Sequence, residues 1–101
     1  MLESVVEKKL KREIEGVGGL CYKFTSPGRQ GVPDRVCIIP GGHVVFVEMK
    51  QENGSLRPLQ RIEITRMKNR GADVWVVYGV TGVEAFMTYV KEVLLKNAED
   101  V

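Results

Sequence analysis

Three side chains carry the clearest chemical signal in this 101-residue sequence: Asp34, Glu48 and Lys50. Side chains alternate between the faces of an extended strand, so Val44, Phe46, Glu48 and Lys50 share one side of the β-prone run His43 to Lys50. That strand is expected to begin as core and to end with a carboxylate and an ammonium at the rim of a sheet. Asp34 opens the preceding β-prone run, and the short Pro40-Gly41-Gly42 connection folds one run back on the other, bringing Asp34 near Glu48. Two carboxylates converging at a sheet edge repel each other unless a proton or a cation lies between them. A hard divalent ion such as Mg²⁺ satisfies both and commonly bridges to phosphate. Lys50 points into the same space, where an ammonium can hold or help deprotonate a water and offset charge on a phosphoryl oxygen. Hydrolysis of a phosphodiester uses all of these parts. The plainer alternative is a solvated Glu48–Lys50 ion pair where the strand leaves the core.

The elements that must position these groups are legible from periodicity. Leu2, Val6, Leu10, Ile14 and Val17 recur at helical spacing, and Gly16, Gly18 and Gly19 end that helix. Leu20 to Thr25 reads as a strand, followed by a Gly- and Pro-rich loop from Ser26 to Pro33. The runs Arg35 to Ile39 and His43 to Lys50 form an antiparallel hairpin. Pro58 suits the first turn of a second helix with the stripe Leu56, Gln60, Ile64 and Met67, closed by Gly71. Val74 to Tyr78 is nearly all apolar and is expected inside the sheet, covered on both faces. A third helix runs from Val83 to Leu95, with Val83, Phe86, Val90 and Leu94 as apolar positions, and Asn97 to Val101 is expected to fray. The order is α-β-β-β-α-β-α. A helix between the third and fourth strands is the crossover a parallel pair requires, so the four-stranded sheet should be mixed and flanked by helices.

Composition sets the outer bounds. A hydrophobic fraction of 44% with four prolines argues for one folded domain over residues 1–101 and against disorder. No apolar run approaches the roughly 20 residues of a membrane span, and no secretory signal opens the chain, so a cytoplasmic protein is expected. Cys21 and Cys37 fit no zinc or redox spacing and are expected as reduced core residues. His43 has no spaced partners that would make it a metal ligand. Trp75 and Tyr78 are expected as core and strand end. A net charge of +2 is too small for a general nucleic-acid coat, so nucleic-acid binding must rely on local charge.

Pro33-Asp34, thirteen intervening residues, then Glu48-Met49-Lys50 matches the signature of the PD-(D/E)xK nuclease superfamily. Over a longer span, Lys23-Phe-Thr-Ser-Pro-Gly-Arg-Gln-Gly-Val-Pro-Asp34, then Gly41-Gly-His-Val-Val-Phe-Val-Glu48-Met-Lys50, then Leu56-Arg-Pro-Leu-Gln60, the chain resembles the VRR-NUC family, in particular its minimal stand-alone phage and bacterial members. The resemblance implies a restriction-endonuclease-like α/β core and a metal-dependent nuclease. It implies Asp34 and Glu48 as metal ligands, the Met49 backbone carbonyl as a further ligand, and Lys50 as the catalytic lysine. The family's first-helix glutamate falls at Glu7, with Glu3 one turn earlier as a competing choice. Its second-helix glutamine falls at Gln60, read either as orienting the water or substrate or as a structural hydrogen bond.

The implied activity is Mg²⁺- or Mn²⁺-dependent hydrolysis of DNA by in-line attack of a water held near Lys50, leaving 5′ phosphates. No organic cofactor is called for. Lys23 matches a position that is often basic in the family and is a candidate phosphate contact. Ser26, Gly28 and Arg29 lie in the loop before Asp34, placed to follow DNA phosphates. Arg57, Arg61, Arg66, Lys68 and Arg70 make the second helix basic, read as a solvated face with DNA contact as the alternative. Resemblance to junction resolvases suggests branched DNA and a homodimer with two sites. A host of prokaryotic or phage-infected type follows from the same likeness. The rival readings are a non-cleaving DNA-binding module and a nuclease subunit that needs a partner.

Overall fold

The computed structural model describes residues 3–96. Helix α1 (Glu3–Gly16) is followed by strands β1 (Leu20–Lys23), β2 (Arg35–Ile39) and β3 (His43–Lys50), helix α2 (Pro58–Asn69), strand β4 (Asp73–Tyr78) and helix α3 (Gly79–Tyr89), which continues as a π-helical segment over Val90–Leu95. The sheet order is β1-β2-β3-β4, with the first two pairings antiparallel and β3–β4 parallel across the α2 crossover. This is the mixed four-stranded α/β arrangement expected from the sequence. The expected place of Leu2 on the α1 stripe and the fraying of Asn97–Val101 lie outside the described residues. No helix among the described residues is long and apolar enough to cross a membrane.

The hairpin turn works because two consecutive residues accept the left-handed region: Gly41 and Gly42 have φ of 97° and 87°, and Gly42 N–H donates to the Ile39 carbonyl at 3.1 Å. The core lies on one face of the sheet. Val45, Val47 and Met49 of β3, with Cys37 and Ile39 of β2, are buried against Val6, Leu10 and Ile14 of α1 and Val83, Phe86 and Val90 of α3 and its extension. Trp75 packs against this cluster, stacked on Tyr89 at 4.9 Å between ring centroids. It therefore serves as core rather than as a base-stacking platform. Cys21 and Cys37 face each other across β1 and β2, buried and free, with sulfurs 3.8 Å apart. The neighbouring Cys21 sulfur and burial both hold the Cys37 thiol above its ordinary value, which keeps it protonated.

Four expectations are corrected. Strand β4 lies at the edge of the sheet, not inside it: α2 and α3 cover its two faces, and that burial on both faces gives it the apolar composition of an inner strand. The core face of β3 is the odd-numbered one, whereas Val44 is exposed and Phe46 only half-buried. The third helix begins earlier, at Gly79, and β1 ends at Lys23. Leu56 precedes α2 instead of opening its stripe, so Gln60 and Ile64 are the buried residues of that helix.

Candidate active site

The β2–β3 register pairs Arg35 with Val47, and continuing it by one residue sets Asp34 directly opposite Glu48. Both occupy the even-numbered face, away from the apolar core. Asp34 is fixed on two sides. Its backbone carbonyl accepts from Phe24 N–H at 2.8 Å, and its Oδ1 accepts from Met49 N–H at 3.3 Å. One residue further, Pro33 falls opposite Met49 and has no N–H to donate. The N–H and C=O of a strand residue point to the same side, so the Met49 carbonyl faces past the end of β2 with no ladder donor to claim it.

Glu48 is buried, and two groups meet its Oε2: the Gln60 amide donates at 3.1 Å and the Lys50 ammonium lies at 3.7 Å. Gln60 is itself held by its other end, where its Oε1 accepts from Arg57 N–H at 2.9 Å. One amide thus closes the first turn of α2 and anchors the carboxylate of β3. Its burial requires both bonds. From the other layer, α1 brings Glu3 and Glu7, whose carboxylate oxygens lie with one from Asp34 within 4.8 Å of one another. The two acids that the sequence left as competing choices therefore both reach the site. A cavity of about 340 Å³ is lined by Glu3, Gly31, Val32, Asp34, Glu48, Lys50, Arg57 and Gln60.

The electrostatics are those of carboxyls held close together in a half-buried site. Burial pushes the Asp34 carboxyl up, and the charge of Glu7 adds to this. Burial, reinforced by Asp34, pushes Glu48 up to about 7, against the pull of Lys50. Packing three to four carboxyls together is costly for the chain alone, and a divalent ion held by them would offset that cost. The donor set of oxygens, with no sulfur or imidazole, suits Mg²⁺ or Mn²⁺.

One residue escaped the sequence reading. Arg35 is buried on the core face, its Nη2 lies 3.5 Å from Glu7 Oε2, and its Nε has no hydrogen-bond partner among the described residues. Its guanidinium pairs with Glu7, one of the acids gathered at Asp34. The available signal was an arginine in phase with Cys37 and Ile39 on a face otherwise apolar.

The loop residues are placed differently. Gly31 has φ of +86°, and a Cβ there would lie 2.4 Å from the Leu59 carbonyl oxygen, so the loop before Asp34 rests directly on the first turn of α2. Arg29 Nε meets Glu63 Oε1 at 2.7 Å, tying the same loop to the same helix. Lys23, Ser26, Gly28 and Arg29 do not line the cavity; Lys23 is exposed at the end of β1. His43, at the far end of β3, is remote from the acids in the register.

Comparison with known proteins agrees with this geometry. A relative named "Putative nuclease p44", from Acyrthosiphon pisum secondary endosymbiont phage 1, is 43% identical over 75 residues, covering 74% of this chain and 81% of its own. A solved VRR-NUC domain is similar with a TM-score of 0.80 and 37% identity, over 90% of this chain and 96% of that one. The VRR-NUC domain family matches residues 3–81. With most of its length inside that match and its acids, lysine and glutamine gathered at one sheet edge, the chain belongs to the VRR-NUC domain family of the PD-(D/E)xK nuclease superfamily, and so to a family of nucleases.

Proposed function

We propose that the protein is a Mg²⁺- or Mn²⁺-dependent deoxyribonuclease that cuts branched or otherwise structured DNA and leaves 5′ phosphates. The observation that carries this reading is the convergence of Asp34, Glu48 and Lys50, opposed across two strands and opening into one cavity. Asp34, Glu48, the Met49 carbonyl and Glu7, with Glu3 beside it, would hold the ion. When bound, the ion supplies Lewis-acid stabilisation of charge on the phosphate and the leaving 3′ oxygen. Lys50 holds and orients the attacking water, and its ammonium offsets charge building on a phosphoryl oxygen. Gln60 keeps Glu48 aimed into the cavity while holding the start of α2 in place. A module that only bound DNA would gain nothing from carboxylates facing phosphates, which repel them.

The reading extends to a cytoplasmic homodimer in which residues 1–101 form one domain and two sites meet a branched substrate. An exposed apolar row, Leu20, Ile38 and Val44 in register across three strands, supports a second copy as its cover. Sedimentation of the purified chain tests the dimer. Lys23, Ser26, Gly28 and Arg29 remain DNA contacts in this reading, Arg29 from a loop that its ion pair with Glu63 ties to α2.

The deciding experiment compares wild type and Asp34→Ala on linear, flapped, cruciform and supercoiled DNA with Mg²⁺, Mn²⁺ or chelator. Wild type should cut with either ion and not with chelator, and Asp34→Ala should lose at least about a hundredfold, as when other transition-state stabilisers are removed. Equal cutting by Asp34→Ala would falsify the assignment.

A further inference from the structure

We propose that Arg57, Arg61 and Lys68 form a phosphate track along α2, by which the substrate strand runs away from the metal cavity. The inference rests on the nuclease reading above and assigns a surface to its substrate.

The basic residues of α2 divide into two groups. Glu63 takes up Arg29 at 2.7 Å and also meets Arg66 at 3.8 Å, while the Arg70 guanidinium donates to the Arg66 carbonyl at 3.0 Å. On that flank Glu63 offsets part of the positive charge and ties the loop before Asp34 to the helix. Arg57, Arg61 and Lys68 are exposed, and no ion pair among the described residues engages them. At 3.6 residues per turn these three positions fall within about 40° of arc, and they span about 16 Å of helix axis. That length matches roughly five nucleotide steps of a single strand in a duplex.

The track begins at the reacting centre. Arg57 lines the cavity of Asp34, Glu48 and Lys50, and it also lines an adjoining hollow with Gln30, Gly31, Pro58, Leu59 and Gln60. A strand whose scissile phosphate lies beside Lys50 therefore meets Arg57 next. Arg57 also occupies the N-cap of α2, where a Ser, Thr, Asp or Asn side chain would accept a backbone bond and stabilise the helix. Its guanidinium has no acceptor, and its side chain makes no cap bond. A local helix rule is broken at the mouth of the site, where functional demands are expected to override it. A guanidinium binds phosphate through two parallel N–H bonds without reading bases, so the track contributes affinity and placement but no sequence preference.

The test measures kcat and KM for cleavage of one branched DNA between 50 and 200 mM salt, the range being on the order of that over which phosphate contacts show their salt dependence. The variants are Arg57→Ala, Arg61→Ala, Lys68→Ala, the Arg57→Ala/Arg61→Ala double and Lys91→Ala, an exposed cation on the opposite layer. Thermal melts confirm that each is folded. The double variant should raise KM by about tenfold or more with kcat within about threefold, and each lost contact should make the salt dependence of log(kcat/KM) shallower by about 0.7–0.9. Lys91→Ala should match wild type. A double variant that cuts with wild-type KM and salt slope overturns the track and leaves the nuclease reading standing. A fall in kcat alone also overturns it, because it moves Arg57 into the chemical step. A wild type that neither cuts nor binds DNA overturns the nuclease reading, and the track with it.

Discussion

The two faces of β3 do opposite work within one strand of eight residues. Its odd-numbered side chains, Val45, Val47 and Met49, are wholly buried between α1 and α3. Its even-numbered side chains run from exposed Val44 through half-buried Phe46 to buried Glu48 and half-buried Lys50. One face gains stability by excluding water from hydrocarbon. The other spends part of that stability on holding charges together. The difference teaches that the site is tolerable because it lies at the end of the strand, where β2 has stopped and α2 covers the sheet only in part. Carboxyls on the odd face would have no route to a cation from solvent.

The largest effect that would sharpen this contrast comes from the closed face. Leu10→Ala should destabilise the fold by about 2–5 kcal/mol, read by denaturant unfolding, with specific activity of the folded fraction retained. Lys50→Ala should show the reverse pattern: about a hundredfold slower cleavage, with Mn²⁺ binding and melting temperature close to wild type. Loss of Mn²⁺ binding in that variant would reassign Lys50 to holding Glu48.

A smaller effect concerns pH. The folded Glu48 carboxyl is pushed up to about 7 from an ordinary 4.5, so the folded state holds its proton where the unfolded chain has released it. Stability of the metal-free protein should therefore fall as pH rises from about 4.5 through about 7, by up to about 1.4 kcal/mol per pH unit. Mg²⁺ binds the carboxylate only, so its affinity should rise over the same interval and reverse the loss. Melting curves at pH 5 and 8, with chelator and with Mg²⁺, check both signs; a metal-free protein more stable at pH 8 would break the account of Glu48. The smallest effect is that of Gln60→Ala, which strands the Arg57 N–H and frees Glu48. It should cost about 1–2 kcal/mol of stability and lower activity by about tenfold, whereas a purely structural glutamine would show only the first.

Much of this was written in the sequence, since strand alternation and a glycine turn fix local geometry without help from the rest of the chain. The Pro40-Gly41-Gly42 turn set the register, the register put Asp34 against Glu48, and period 2 put Lys50 beside them. The order of elements and the mixed sheet followed from periodicity and from the need for a crossover before β4. What periodicity could not decide was which side of each element would meet another. An alternating strand has two candidate inner faces, and only the packing of α1 and α3 chose the odd one. An apolar strand covered by helices on both faces looks the same at the edge of a sheet as inside it, so the position of β4 was invisible.

The same limit governs the residues brought from afar. The sequence favoured Glu7, with Glu3 one turn earlier as the competing choice; the docking of α1 brings both to Asp34. Arg35 shows as a counter-charge only when Glu7 is seen above it. Arg29 and Arg57 carry the same charge and are both exposed, yet Glu63 engages the first, while no ion pair among the described residues engages the second. Local bonding geometry is a property of neighbours in the chain and can be read along it. The pairing of charges depends on distances between elements, and those exist only once the helices have docked.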